Sequence, residues 1–318
     1  MMEVSQIETN LLTAQEVADI LKVKKSTVYE MIKRGDLSSR KIGKQLRISR
    51  QEMERLLGTD TTKTESFPLP ECPPVSPLRK ENSFILSGQD VLLDVFANHM
   101  NGSPGLPNIL RSQAGSYNGL YQLYQGSVDL ATCHLWDETT GEYNTPFVER
   151  MLPGVPVVMI RLLGRMIGLY VHAGNPKGIT GWNDLRRGDI TLVNRERGSG
   201  ARVLLDGKLK SMGISGISVP GYPFEQPSSL SVASCVARGA GDVGVGTKHT
   251  SRQISGIEFL PMQQEWYDLV FLADRARTPA MRAIVNYISS GTFQKEVAQM
   301  KDYDSSQTGR IILGGSYL

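Results

Sequence analysis

The stretch GTDTTKTESFPLPECPPVSP, residues 58–77, divides this chain. It holds five prolines, with Pro73 and Pro74 adjacent. Proline removes a backbone donor and fixes φ, so neither a helix interior nor a central strand runs through such a segment. Hydrophobic periodicity is weak here, and with its threonines the stretch reads as an extended, semi-rigid linker. The chain on its two sides must fold as separate bodies. The expected division is 11–57, a Pro/Thr-rich linker over 58–83, and 84–318. A length of 318 residues suits about two domains at roughly 150 residues each.

The first body is short and basic. Thr13 followed by Glu16 is a capping-box pattern, and Val17, Ile20 and Leu21 then predict one apolar helical face. STVYEMIKRG predicts a second helix, with Val28, Met31 and Ile32 inward and Gly35 as its stop. SSRKIGKQLRIS predicts a hairpin turning at Gly43 and Lys44, and RQEMERLL a third helix. From Lys22 to Arg50 there are ten basic residues against two acidic ones, a local balance of +8 in a chain whose net charge is +3. A basic stripe over a helix-turn-helix is an electrostatic footprint for phosphate backbones. A helical protein-interaction module with a solvated basic face would show the same charge. The order of residues 11–57 resembles the excisionase-type, MerR-like winged helix-turn-helix: T-x-x-E-V-A, a T-V-Y turn, a basic pair before glycine, a hairpin, then R-I-S-R. Gln45-Leu46 departs from it, standing where an aromatic is common in the wing. The resemblance implies double-stranded DNA as partner. Contacts are expected from Lys25, Ser26, Thr27, Tyr29, Lys33 and Arg34 on the second helix, and from Arg40, Lys41, Lys44 and Arg47 in the wing.

The second body alternates short glycine-bounded strands with helices, which predicts an α/β domain with a largely parallel sheet. SFIL is a short apolar run, and SVDLATCHL, MIGLYVHAG, DITLVN and AGDVGVGT read as strands. GQDVLLDVFANHM, GLYQLYQG, ARVLLDGKLKSMG and PAMRAIVNYISSGTFQKEVAQM read as helices. Several strand-to-helix turns carry serine and glycine: LSGQD with Ser87 and Gly88, QAGSYNG with Gly115 and Ser116, NRERGSGAR with Ser199 and Gly200. Thr132 stands at a strand end, and Gly246 and Thr247 at another. Unpaired N–H groups and the dipole favour an anion at a helix start, and small residues let it approach. Each such loop alone is more often an ordinary cap; the set points to a site between two lobes.

GSYNGLYQLYQGSVDLATCHLWDETTGEYNTPFV, GLYVHAGNPKGITGWNDL, VNRERGSGARVLLD and WYDLV together resemble the periplasmic-binding-protein-like domain that bacteria fuse to helix-turn-helix modules. That resemblance implies a two-lobed, type II fold, similar in its turns to molybdate- and tungstate-binding proteins, with the second lobe over about 168–248. It implies a small anionic effector, a molybdate- or tungstate-like oxyanion or a small organic acid. Ser87 and Ser116 would contribute from the first lobe, and Arg195, Ser199 and Arg202 from the second. Gly88, Gly115, Thr132 and Gly200 would complete the site. Arg195 and Arg202 leave open whether they hold the ligand or the lobe around it.

Several classes are disfavoured. The opening MMEVSQIETN lacks an export signal's apolar core, and no run reaches about 18 apolar residues, so a cytoplasmic chain without a membrane span is expected. Cys72, Cys133 and Cys235 are odd in number and scattered, as reduced thiols are. His99, His134, His172 and His249 show no metal-ligand spacing, and there is no G-x-S-x-G elbow. GDVGVGTK ends Thr247-Lys248 where a phosphate loop needs lysine first, and it reads as strand and turn lining the cleft. GEYN reads as a structural turn. No cofactor or metal is expected. The leading expectation is a non-enzymatic, ligand-responsive transcription regulator, possible as a homodimer. The alternatives are an enzyme for an anionic substrate with a DNA-binding head, and an excisionase-like architectural factor.

Overall fold

The computed structural model describes residues 11–42, 45–49, 52–53 and 82–318. The chain forms two compact units, Met1–Leu78 and Arg79–Leu318. In the first, β1 (Leu11–Thr13) leads into α1 (Ala14–Leu21) and α2 (Lys25–Arg34), then β2 (Arg40–Ile42) and β3 (Gln45–Ser49). The capping box forms: Thr13 Oγ1 accepts from Glu16 N at 3.2 Å, and the Glu16 carboxylate accepts from Thr13 N at 2.7 Å. Ala14, Val17, Ala18, Val28, Leu37, Ile48 and Met53 make the core, with Leu21, Met31 and Ile32 packed on it. Ile20, expected inward, is exposed. The buried stripe runs through Ala14, Val17, Ala18 and Leu21, and Ile20 falls beside it. The expected hairpin is a three-stranded antiparallel sheet ordered β1-β3-β2, because Leu11–Thr13 pairs with Arg47–Ser49. Gly43 and Lys44 lie outside the described residues, as does most of the expected third helix; Glu52 and Met53 are helical. Of the linker, 58–81 lies outside them too.

The second unit starts with β4 (Ser83–Ser87), α3 (Leu92–Gly102), β5 (Asn108–Ser112), α4 (Ser116–Tyr124) and β6 (Leu130–Cys133). A small hairpin, β7 (Trp136–Asp137) and β8 (Glu142–Tyr143), precedes α5 (Thr145–Met151) and the long β9 (Val157–His172). Then come β10 (Leu192–Arg195), α6 (Gly200–Ser211), β11 (Glu225–Gln226), α7 (Ser229–Ala237), β12 (Val243–Thr247) and α8 (Lys248–Ser251). The chain returns along β13 (Ile257–Leu272) and ends in α9 (Pro279–Ile288), α10 (Gly291–Gln299), β14 (Tyr303–Asp304) and β15 (Ile311–Leu313). PAMRAIVNYISSGTFQKEVAQM is therefore two helices, broken where Ser290 caps α10 by accepting from Phe293 N at 3.2 Å.

The sheet is mixed, not largely parallel. Its order is β11-β10-β12-β9-β13-β6-β4-β5. The outer pairs are parallel, whereas β12/β9, β9/β13 and β13/β6 are antiparallel. Strands β9 and β13 join the two lobes. Val158, Ile160, Leu162 and Leu163 of β9 are buried in the first-lobe core, and Ile167, Leu169 and Val171 in the second. One strand thus belongs to two cores, and its middle residues lie at the boundary. Register slips in β13 between Pro261 and Gln263 and between Tyr267 and Asp268 bracket that boundary. The GEYN turn is structural: Asn144, at φ 65°, accepts from Leu135 N at 2.7 Å and donates to Asp268 at 2.7 Å.

Candidate functional site: an inter-lobe cleft and a basic head

Two helix starts meet across the cleft. In the first lobe α4 begins at Ser116 after Gly115. In the second, Ser199 caps α6 by accepting from Arg202 N at 3.3 Å. The starts touch: Tyr117 N donates to Gly198 O at 3.0 Å. A Cβ on Gly115 would come 2.9 Å from that carbonyl oxygen, so this closeness needs glycine. Between them lies a cavity of about 20 Å³, lined by Gly88, Gln89, Ala114, Gly115, Ser116, Thr132, His134, Arg165, Ser199 and Tyr267. That is room for roughly a water molecule or the core of a small ion. Five residues expected from the sequence meet here: Gly88, Gly115, Ser116, Thr132 and Ser199.

The donors around it are fixed by their own partners. Ser116 Oγ accepts from His134 N at 3.2 Å, and Thr132 Oγ1 lies 2.6 Å from Tyr267 OH and donates to Ser87 O at 3.1 Å. Ser87 does not line the cavity. Its buried hydroxyl has no hydrogen-bond partner among the described residues and lies under α4, where a Cβ on Gly119 would come 3.1 Å from it. Gly200 is set back against His134 and does not line this cavity.

A second cavity, about 300 Å³, shares Gln89, His134 and Arg165 with the first. Arg111, Arg195, Ser228, Ser229, Gly246 and Thr247 are among its walls, so GVGTK does line the cleft. Arg195 reaches it with its donors engaged: Glu196 takes Nε and Nη2 at 2.6 and 2.7 Å, Ser229 takes Nη1 at 2.8 Å, and Gln89 takes Nη2 at 3.0 Å. The Gln89 bond crosses the cleft. Arg202 is different. It lies over the Tyr222 ring at 4.2 Å and is bound to Asp206, Glu225 and the Arg195 carbonyl, each at 3.0 Å. It holds the lobe and lines neither cavity.

Sequence reasoning missed the charged floor. Arg165 Nε donates to Glu265 Oε1 at 2.6 Å, its Nη1 donates to Asp90, and the guanidinium lies over the Tyr267 ring at 4.7 Å. Tyr303 OH donates to Asp90 Oδ1 at 2.9 Å, and His134 Nδ1 lies 2.9 Å from Glu265 Oε2. Burial alone would raise the Glu265 pKa, but the facing His134 and Arg165 outweigh it and hold the carboxyl at about 2. Burial opposes charge on Arg165 as well, yet Glu265 and Asp90 raise its pKa. The available signal was two arginines interrupting an apolar run, VVMIRLLGRMIGLYV. Among the described residues no group of three or more His, Cys, Asp or Glu side chains could hold a metal ion.

In the head, Lys25, Ser26, Tyr29 and Lys33 of α2 are exposed and Thr27 is half-buried. Lys24 precedes α2 without a side-chain cap. Arg34 is exposed and pairs with Asp36 at 3.1 Å. Lys41 is exposed on β2, and Arg47 is half-buried on β3 opposite Arg40. Lys44 and the Arg40 side chain lie outside what is described. No described helix is long and apolar enough to cross a membrane.

Residues 97–289 match the PBP superfamily domain, and residues 11–59 match a helix-turn-helix domain. The chain is 37% identical over 311 residues to the uncharacterized protein YvgK of Bacillus subtilis (strain 168), covering 96% of this chain and 99% of that one. It is 36% identical over 110 residues to a protein from the 5′ region of the ferredoxin 2Fe-2S gene of Clostridium pasteurianum, covering 35% of this chain and 97% of that one. Among solved structures, an ABC-type phosphate transport receptor from Vibrio cholerae shares the fold, with a TM-score of 0.50 at 17% identity over 70% of this chain and 99% of that one. With a helix-turn-helix domain ahead of a two-lobed ligand-binding domain, the chain belongs to the PBP superfamily.

Proposed function

We propose that this protein is a ligand-responsive transcription regulator whose cleft takes a small oxyanion of the molybdate or tungstate kind. One observation carries the reading: Gly115, Ser116 and Ser199 bring two helix starts from two lobes to one small cavity that also holds Gly88 and Thr132. N–H and hydroxyl donors converging from both sides stabilise an anion and favour the closed lobes. The head binds double-stranded DNA through α2 and the wing, with Lys25, Ser26, Thr27, Tyr29, Lys33, Arg34, Lys41 and Arg47 as contacts. Two heads in a dimer would read two half-sites, and closure of the cleft would change their placement.

A small organic acid is the second reading. The larger cavity, joined to the small one at Gln89, His134 and Arg165, favours it, since it has room for a body behind an anionic head. Calorimetric titration of the full chain with molybdate, tungstate, sulfate, phosphate and a panel of small carboxylic acids separates the two. Operator binding is then measured across salt with and without the anion that binds. Log affinity should fall linearly with log salt, by about 0.9 per phosphate contact. Salt-independent DNA binding would sink the DNA assignment, and a DNA affinity unmoved by a bound anion would sink the sensor.

A further inference from the structure

Beneath the small cavity one arginine faces two carboxylates. Arg165 is 7% exposed and Glu265 0%, and both Glu265 and Asp90 bind the same guanidinium. The neighbouring ion pairs balance within themselves: Arg111 with Asp94, Arg195 with Glu196. Among the described residues, His134 is the remaining side chain in contact with this group that can add a positive charge. With a neutral imidazole the buried group carries a net negative charge beside the place where an anion would sit. With an imidazolium it is neutral, and its signs alternate from Asp90 through Arg165 and Glu265 to His134.

His134 also stands where the lobes meet. A Cβ on Gly200 would fall 2.3 Å from its Nδ1 and 2.6 Å from its carbonyl oxygen, so the start of α6 rests on the ring. Ser116, at the start of α4, accepts from its backbone N–H. Tyr267 of β13 lies 5.6 Å away, ring to ring. Both helix starts carry partial positive charge and oppose an imidazolium; an anion between them removes that opposition. His134 lines both cavities, and its Nε2 makes no hydrogen bond to a described residue.

Resting on the oxyanion reading, we infer that His134 makes binding proton-coupled. A dianion entering the small cavity takes up a proton onto the imidazole, which contacts the anion through Nε2 while Glu265 holds Nδ1. The proton comes from solvent, and no covalent bond changes. By linkage, a proton that favours the anion is in turn favoured by it. Affinity then falls as pH rises, by up to about tenfold per pH unit for one coupled proton.

The test is calorimetry of the full chain with molybdate, which stays a dianion between about pH 6 and 8, the range in which histidine switches. Buffers of different ionisation enthalpy report the proton directly. Wild type should show uptake approaching about one proton and an affinity that falls with pH. His134→Gln, and His134→Asn as a second variant, should bind more weakly, without uptake and with flat pH dependence. Wild-type binding without buffer dependence overturns the inference, as does equal uptake in both variants. If neither molybdate nor tungstate binds wild type at any pH, the oxyanion reading fails and this inference falls with it.

Discussion

Arg161 and Arg165 stand four residues apart on β9, and both are 7% exposed. Each faces a carboxylate on β13, Asp268 for the first and Glu265 for the second, in direct register. Arg161 is closed off on every side. Its Nε and Nη2 donate to Asp268 at 2.8 and 3.2 Å, Nη1 donates to Gln307 at 3.0 Å, and Trp266 covers it at 4.3 Å. Asn144 completes Asp268 and ties the GEYN turn to the strand. Around Arg165 the same residue types lie open to two cavities and reach His134. Burial and pairing are alike in the two pairs; what lies beyond the carboxylate separates a lock from a site.

The largest effect should come from breaking the lock. Asp268→Asn leaves Arg161 buried without its counter-charge, a loss of about 3–5 kcal/mol. Denaturant unfolding should show that loss, while molybdate affinity, measured where the variant is folded, stays at the wild-type value. A matching loss of affinity would erase the distinction between the pairs. Glu265 gives the next effect through pH. Its folded pKa of about 2 lies below its ordinary 4.5, so its stabilisation is full above 4.5 and is lost as pH falls toward 2. The amount is on the order of 3 kcal/mol. Glu265→Gln removes that contribution, so the stability gap between wild type and variant should shrink on acidification. A gap constant from neutral pH down to 3, that is to about one unit above the folded value, would contradict it.

The contrast also marks how much the sequence could say. Thr13 and Glu16, or Gly115, Ser116 and Ser199, announce helix starts because capping is decided within a few residues. The cavity walls were legible for that reason. Its floor was not. Arg165 meets Glu265 through strand register across a hundred residues of chain, and Asp90 and Tyr303 arrive from the two ends of the domain. The parallel reading of the sheet failed likewise, since two long antiparallel strands are indistinguishable from shorter ones in local pattern. Arg202 shows the limit from the other side. Its residue type suited a ligand, but Asp206, Glu225 and Tyr222 had already engaged it.

The smallest effect is the sharpest on the site itself. Tyr267 sits on β13 between the two carboxylates, with its ring under Arg165 and its hydroxyl 2.6 Å from Thr132 Oγ1. Tyr267→Phe keeps the ring and removes one hydroxyl from the cavity wall. Thr132 keeps its bond to the Ser87 carbonyl, so no buried donor is stranded. The stability loss should be about 1 kcal/mol, the ordinary worth of one hydrogen bond. If that hydroxyl pair orders the donors around the anion, molybdate affinity should fall by roughly threefold to tenfold, a comparable free energy. Calorimetry at fixed pH reads the second number and urea unfolding the first. A stability loss with unchanged affinity would move Tyr267 to the side of the Arg161 lock and leave the cavity's selectivity to the two helix starts.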